Sequence, residues 1–272
     1  MNALAARRRH PAAIVVLVLL GLMFTGGVYS LLAPKEANAS AVAAASIEDG
    51  KNLFLANCAS CHGMSAQGTA SGPSLVGVGA AAVDFQVGTG RMPMAAPNVQ
   101  APASDKIKFT DDQIASLGAF VAALGPGPSV PEDKYTTAIA PEPGVADSEN
   151  NMAIAEGGEI FRVNCAMCHN FAGAGGALTR GKYAPELTGV SGKHMYEAMD
   201  TGPQSMPVFN DTNLTPDAKH KVISYLKAID GETNVGGLTL GNLGPVSEGL
   251  FAWTFALGIL IGCCIWLGKK AA

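Results

Sequence analysis

Charge is scarce in this sequence. Asp, Glu, Lys and Arg make up 15% of its 272 residues, aromatic residues only 6%, and the net charge is −4. A chain without a basic excess lacks the electrostatic footprint of a nucleic-acid binder. Cysteine is absent outside three close pairs, Cys58/Cys61, Cys165/Cys168 and Cys263/Cys264, so nothing between the motifs is left over for a structural disulfide. No alternating strand pattern surrounds the first two pairs, which argues against a thioredoxin-like βαβ redox site. No nucleophile or proton-transfer constellation is visible either.

What the chain has instead is apolar sequence, 48% of residues, with the excess at the two ends. "LFAWTFALGILIGCCIWLG" (Leu250 to Gly268) carries no charge. As a helix it rises about 28 Å, close to the hydrocarbon thickness of a bilayer. Trp253 and Trp266 fall near its ends, and Lys269 and Lys270 follow at once. The positive-inside rule places that end in the cytoplasm. Cys263 and Cys264 read as small packing residues of this span. At the N-terminus, Arg7, Arg8 and Arg9 precede an apolar stretch from Ala12 to Leu32. Two readings are open here: a signal peptide cleaved after "ANA" (Ala37 to Ala39), or a retained anchor, towards which the length of the stretch leans. Both put the chain between Lys35 and Ser247 outside the membrane.

The exported part repeats itself. "GKNLFLANCASCHG" from Gly50 matches "GGEIFRVNCAMCHN" from Gly157. A loop with a proline follows each: "GPSLVGVG" from Gly72 and "APELTGVS" from Ala184. Then come "TGRMP" from Thr89 and "TGPQSMP" from Thr201, and each copy closes with an amphipathic helix. Ile114, Leu117, Val121 and Leu124 share one face of the first, and Val222, Tyr225, Leu226 and Ile229 one face of the second. Thr110 with Gln113 predicts a capping box, and Thr215 a cap with Pro216 at the first helical position. The organisation predicted is an N-terminal signal or anchor over 1–39, a first domain over 46–125, an extended proline-rich linker over 126–149, a second domain over 150–230, a tether over 231–248 and a membrane helix over 249–268.

Each copy holds C-x-x-C-H: Cys58, Cys61 and His62, then Cys165, Cys168 and His169. A structural zinc site needs four ligands, usually two pairs, and the second pair lies in another domain. C-x-x-C-H is instead the attachment signature of c-type haem. The two thiols bond the vinyl groups on one porphyrin edge, and the histidine turns its imidazole to the iron. Two covalently bound haem c are expected. A domain of about eighty residues is marginal on its own core, and the porphyrin supplies much of that core. A thioether as second axial ligand closes the iron and raises its potential. Met92 and Met206, each before a proline at matching places, are the candidates; Met94 is the rival in the first domain and His194 in the second. Met64, Met167, Met195 and Met199 read as packing, and His220 as a solvated face residue. Pro73 and Pro185 are placed to accept the ring N–H of the proximal histidines through their carbonyls.

On these residues the chain resembles class I cytochromes c twice over, across Ile47 to Leu124 and Ala153 to Ile229. Two such domains with a C-terminal span resemble the dihaem cytochrome c subunits of actinobacterial cytochrome bcc complexes. The resemblance implies an all-α fold and an electron-transfer subunit of a menaquinol–cytochrome c reductase. It also implies partners: a Rieske iron–sulfur subunit, cytochrome b and a terminal haem–copper oxidase. The chain is then a carrier in the cell membrane, its haem domains on the extracytoplasmic side, and not catalytic alone. The competing readings are a tethered dihaem carrier for another oxidase or dehydrogenase, a dihaem peroxidase, and a haem-based sensor, the last disfavoured by the short cytoplasmic tail.

Overall fold

The computed structural model describes residues 11–32, 39–96, 98–231 and 245–271. Arg7, Arg8, Arg9, Lys35 and most of the expected tether lie outside the described residues. Helix α1 covers Pro11–Leu32 and is apolar over Ile14–Val28.

The first haem-type domain consists of α2 (Ala39–Asn57), a single turn α3 (Ala59–His62), α4 (Gly79–Gly88) and α5 (Asp111–Ala122). The second repeats the order with α7 (Glu149–Asn164), the turn α8 (Ala166–His169), α9 (Gly192–Thr201) and α10 (Pro216–Gly231). It adds a two-residue hairpin, β1 (Gly176–Ala177) antiparallel to β2 (Tyr183–Ala184). The predicted caps form. Thr110 accepts from the Gln113 backbone while the Gln113 side chain accepts from the Thr110 N–H, closing the box. Thr215 Oγ1 accepts from the Ala218 N–H at 3.3 Å.

Each domain is built on a crossing of its first and last helices. Phe54 and Phe161, each four residues before a first cysteine, are 1% and 0% exposed. Their rings meet Phe120 at 5.2 Å and Tyr225 at 5.7 Å. Burying such a ring contributes about 2–3 kcal/mol. The crossing also explains the paired glycines of the repeat. A Cβ on Gly50 would collide with the Ser116 carbonyl of α5, and one on Gly157 with the Lys221 carbonyl of α10. The obstacle is backbone, which cannot step aside as a side chain can. We expect Gly157→Ala to lower the unfolding free energy of the haem-loaded chain by about 1–3 kcal/mol, seen as a lower denaturant midpoint.

The proline-rich segment differs from the extended linker expected. It carries α6 (Asp133–Thr136) and is bonded to both domains. Pro128 O accepts from the Ala81 N–H at 3.1 Å, and the Ile139 N–H donates to Ser224 Oγ at 3.0 Å. Tyr135 stacks on Tyr196 with ring centroids 6.2 Å apart. Burial of this tyrosine outweighs the stiffness of the surrounding prolines. The same strap corrects the reading of His220, whose Nε2 lies 2.7 Å from the Thr137 carbonyl rather than facing only solvent.

The two domains meet directly. Helix α4 packs on α9, and Lys193 Nζ donates to Asp84 Oδ2 at 2.7 Å. Beside this contact runs a reciprocal clamp. Gln100 Nε2 donates to Tyr183 O and the Tyr183 N–H to Gln100 Oε1, both at 2.9 Å. Gln204 Nε2 donates to Ala101 O at 3.0 Å, and the Ala101 N–H to Gln204 Oε1 at 3.1 Å.

The C-terminal helix runs through α11 (Pro245–Phe251), a π-helical stretch (Ala252–Leu257) and α12 (Gly258–Ala271). Over Ser247–Lys270 its mean hydropathy is 2.2 and none of it is buried in the protein. It is long and apolar enough to cross a membrane. Lys270 Nζ sits 4.6 Å from the centroid of Trp266, a charged end beside an interfacial ring.

Candidate haem-attachment sites

In both domains the first cysteine is a hinge. Helix α2 ends at Asn57 and α7 at Asn164; Cys58 (φ −121°, ψ −31°) and Cys165 (φ −117°, ψ −36°) then start a new single turn. That turn carries the second cysteine and the histidine. It stops at Gly63 (φ 82°, ψ 155°) and at Asn170 (φ 66°, ψ 177°), a positive-φ, extended-ψ conformation that is free for glycine and strained for the asparagine. The chain then loops back on the histidine, the Gly68 N–H donating to His62 O at 2.7 Å and the Gly175 N–H to His169 O at 2.9 Å.

The returning loops deliver the two prolines. His62 Nδ1 lies 2.7 Å from the Pro73 carbonyl, and His169 Nδ1 lies 3.0 Å from that of Pro185. A carbonyl can only accept, so each Nδ1 carries the proton. Each Nε2 then keeps its lone pair, as a metal ligand requires. Burial also pushes the His169 pKa down, against the opposing pull of the Pro185 carbonyl. All six cysteines are free. Burial, with Cys168 adding, pushes the Cys165 thiol up to about 11, and burial likewise raises Cys58 beside Cys61.

A cavity of about 560 Å³ opens in the second domain and is bordered by Cys165, Cys168, His169 and Met206. Its size falls in the ~300–1,000 Å³ range of ligand pockets. Two thiols, a neutral imidazole and a thioether on one apolar cavity are the donor set of a covalently attached, six-coordinate haem, so the residues fit the group. In the first domain Met92 and Met94 share a loop and are both half-buried. Their degree of burial does not separate them. Met92 is held by its N–H, which donates to Gln86 O at 2.9 Å.

His194 also borders the second cavity, but its Nε2 is directed at Asp84 Oδ1, 3.8 Å away. Met195 and Met199 are buried as expected, at 5% and 4% exposure. Met64 and Met167, expected as packing residues, are surface residues at 69% and 90% exposure. Each lies on or just after the single turn of its motif.

Part of the site was not foreseen. Phe85, Arg91 and Gln100 of the first domain form a wall of the second domain's cavity. Arg91 lies over the Phe85 ring at 4.7 Å, and burial lowers its pKa. Nothing in "TGRMP" says which domain the arginine faces, because the contact is made a hundred residues away.

Comparisons with known proteins agree with this geometry. Residues 47–125 match the family model for cytochrome c. Residues 152–226 match that for cytochrome c oxidase, cbb3-type, subunit III. The chain is 42% identical over 260 residues to the cytochrome bc1 complex cytochrome c subunit of Mycobacterium tuberculosis (strain ATCC 25618 / H37Rv), covering 94% of this chain and 90% of the relative. It is 38% identical over 275 residues to the subunit of the same name from Corynebacterium diphtheriae, covering 98% and 97%. With both haem-type domains and the C-terminal helix inside such alignments, the chain belongs to the family of cytochrome bc1 complex cytochrome c subunits, electron-transfer cytochromes with covalently bound haem c.

Proposed function

We propose that this chain carries electrons from the Rieske iron–sulfur subunit and cytochrome b of a menaquinol–cytochrome c reductase to a terminal haem–copper oxidase. Its haem domains lie on the extracytoplasmic side of the cell membrane, and its C-terminus is cytoplasmic. Cys58 and Cys61 hold one haem c, with His62 and Met92 on its iron. Cys165 and Cys168 hold the other, with His169 and Met206. When attached, haem c supplies one-electron Fe(III)/Fe(II) cycling.

The protein's part is positional. The Pro73 and Pro185 carbonyls fix the tautomer and orientation of the two imidazoles. The hinge at each first cysteine aims both thiols and the histidine to one side of a single turn. The largely apolar cavity walls surround the second site, and the C-terminal helix keeps the domains at the membrane surface. The observation that carries the reading is the near full-length alignment with subunits named for a cytochrome bc1 complex, across both domains and the C-terminal helix.

The test is affinity purification of the tagged chain from mildly solubilised membranes. Cytochrome b, a Rieske protein and an oxidase should co-purify, and a menaquinol analogue should drive oxygen uptake. Cys165→Ala with Cys168→Ala should stop that uptake while cytochrome b remains reducible. Recovery of an oxidase without cytochrome b would instead support a tethered oxidase carrier. The match of residues 152–226 to a cbb3-type oxidase subunit favours that second reading.

A further inference from the structure

The interface of α4 and α9 holds a cluster that electron transfer does not use. Asp84 comes from the first domain, and His194 and Glu197 from the second. One ligand atom of each lies within 4.8 Å of those of the other two. Glu197 is 0% exposed, neither of its side-chain oxygens accepts a hydrogen bond from a protein N–H or O–H donor, and the Asp84 carboxyl faces it. A buried carboxyl left this way costs free energy. Burial, with Asp84 second, pushes it up to about 9. Asp84 and His194 are 13% and 23% exposed at the side chain, so the cluster is shielded but reachable. Burial lowers the His194 pKa, which keeps the imidazole neutral.

We propose that Asp84, His194 and Glu197 form a binding site for a divalent transition-metal ion of the zinc class, stapling the two haem domains together. One imidazole nitrogen and two carboxylates, with water in a fourth position, make a donor set suited to zinc. Binding displaces the proton that Glu197 holds at neutral pH; two units of positive charge then balance the two carboxylates, and the Glu197 oxygens gain a partner. The ligands stand on helices packed against each other, so only a small contraction separates the present arrangement from bonding distance. Two cations oppose the ion. Lys193 Nζ is paired with Asp84 at 2.7 Å, and Arg91 lies near enough to act on the His194 charge. Lys193 is 42% exposed and can swing into solvent, so it competes for the site without sealing it.

That competition supplies the test. The haem-loaded full chain in detergent is stripped with a chelator and dialysed against buffered zinc, and bound zinc and iron are counted by elemental analysis. We expect one zinc per chain, with affinity falling about tenfold or more in Asp84→Asn and in His194→Gln, and rising in Lys193→Gln. The gain in Lys193→Gln cannot arise from misfolding. Failure to retain zinc, equal retention by wild type and the Asp84 and His194 variants, or no tightening in Lys193→Gln would each overturn the proposal.

Discussion

Met206→His should lower the midpoint potential of the second haem by a sizeable part of the ~0.8 V range over which axial ligands tune haem iron, with that haem still covalently attached. The thioether favours the reduced iron, and imidazole is the stronger donor to the oxidised one. Met206 borders the same cavity as His169, Cys165 and Cys168, so a ligand exchange there needs no rebuilding of the loop. A redox titration of the full chain checks this. One midpoint should move down while the other stays, and the thioether-to-iron absorption band should lose about half its intensity, one of two equivalent contributions. Met92→His is the companion variant and should move the other midpoint. Two unchanged midpoints in Met206→His would place the sulfur off the iron and bring His194 forward as its ligand.

Lys219→Ala should cost about 3–5 kcal/mol of stability, the loss expected when one partner of a buried ion pair is removed. Lys219 is 0% exposed. Its ammonium is paired with Asp200 and, at 2.8 Å, with Asp211, and lies 5.0 Å from the centroid of the Tyr196 ring. Asp200 is 19% exposed at the side chain and would be left mostly buried with no counter-charge. Asp211 is 68% exposed and would return to water at little cost. Denaturant unfolding followed by haem absorbance measures the loss. The triple variant Lys219→Met, Asp200→Asn, Asp211→Asn should recover most of it, because no charge is then stranded. A single-variant loss below about 1 kcal/mol, the range of a surface pair, would show that the ammonium reaches solvent.

Local chemistry was legible in the sequence. The capping box at Thr110 and the capped, proline-started helix at Thr215 act over a few residues, and they formed as expected; the C-x-x-C-H spacing is read over the same short range. The Pro73 and Pro185 contacts were legible too, because the repeat aligned the two prolines behind the two histidines. The paired glycines were visible, but their cause was not: Gly50 and Gly157 answer to carbonyls in helices more than sixty residues away. The domain contact left no trace in the sequence. Asp84, Lys193, His194 and Glu197 are single residues in two short helices, with no period or spacing to join them. Nothing in the sequence sets Lys219 apart, since burial of its ammonium depends on Asp200, brought in by helix α9, and Asp211, brought in by the loop that follows it. The proline-rich strap was misjudged for a related reason: composition sets a segment's stiffness, but Tyr135 finds its partners only in the folded molecule.

The Gln100–Tyr183 and Gln204–Ala101 exchanges give this tandem the character of a soldered joint. Electron passage between haems held in these two domains would need no diffusive search, and so would be indifferent to solvent viscosity. Any slow, viscosity-sensitive step is then confined to the outer faces, where the chain meets its donor and its acceptor.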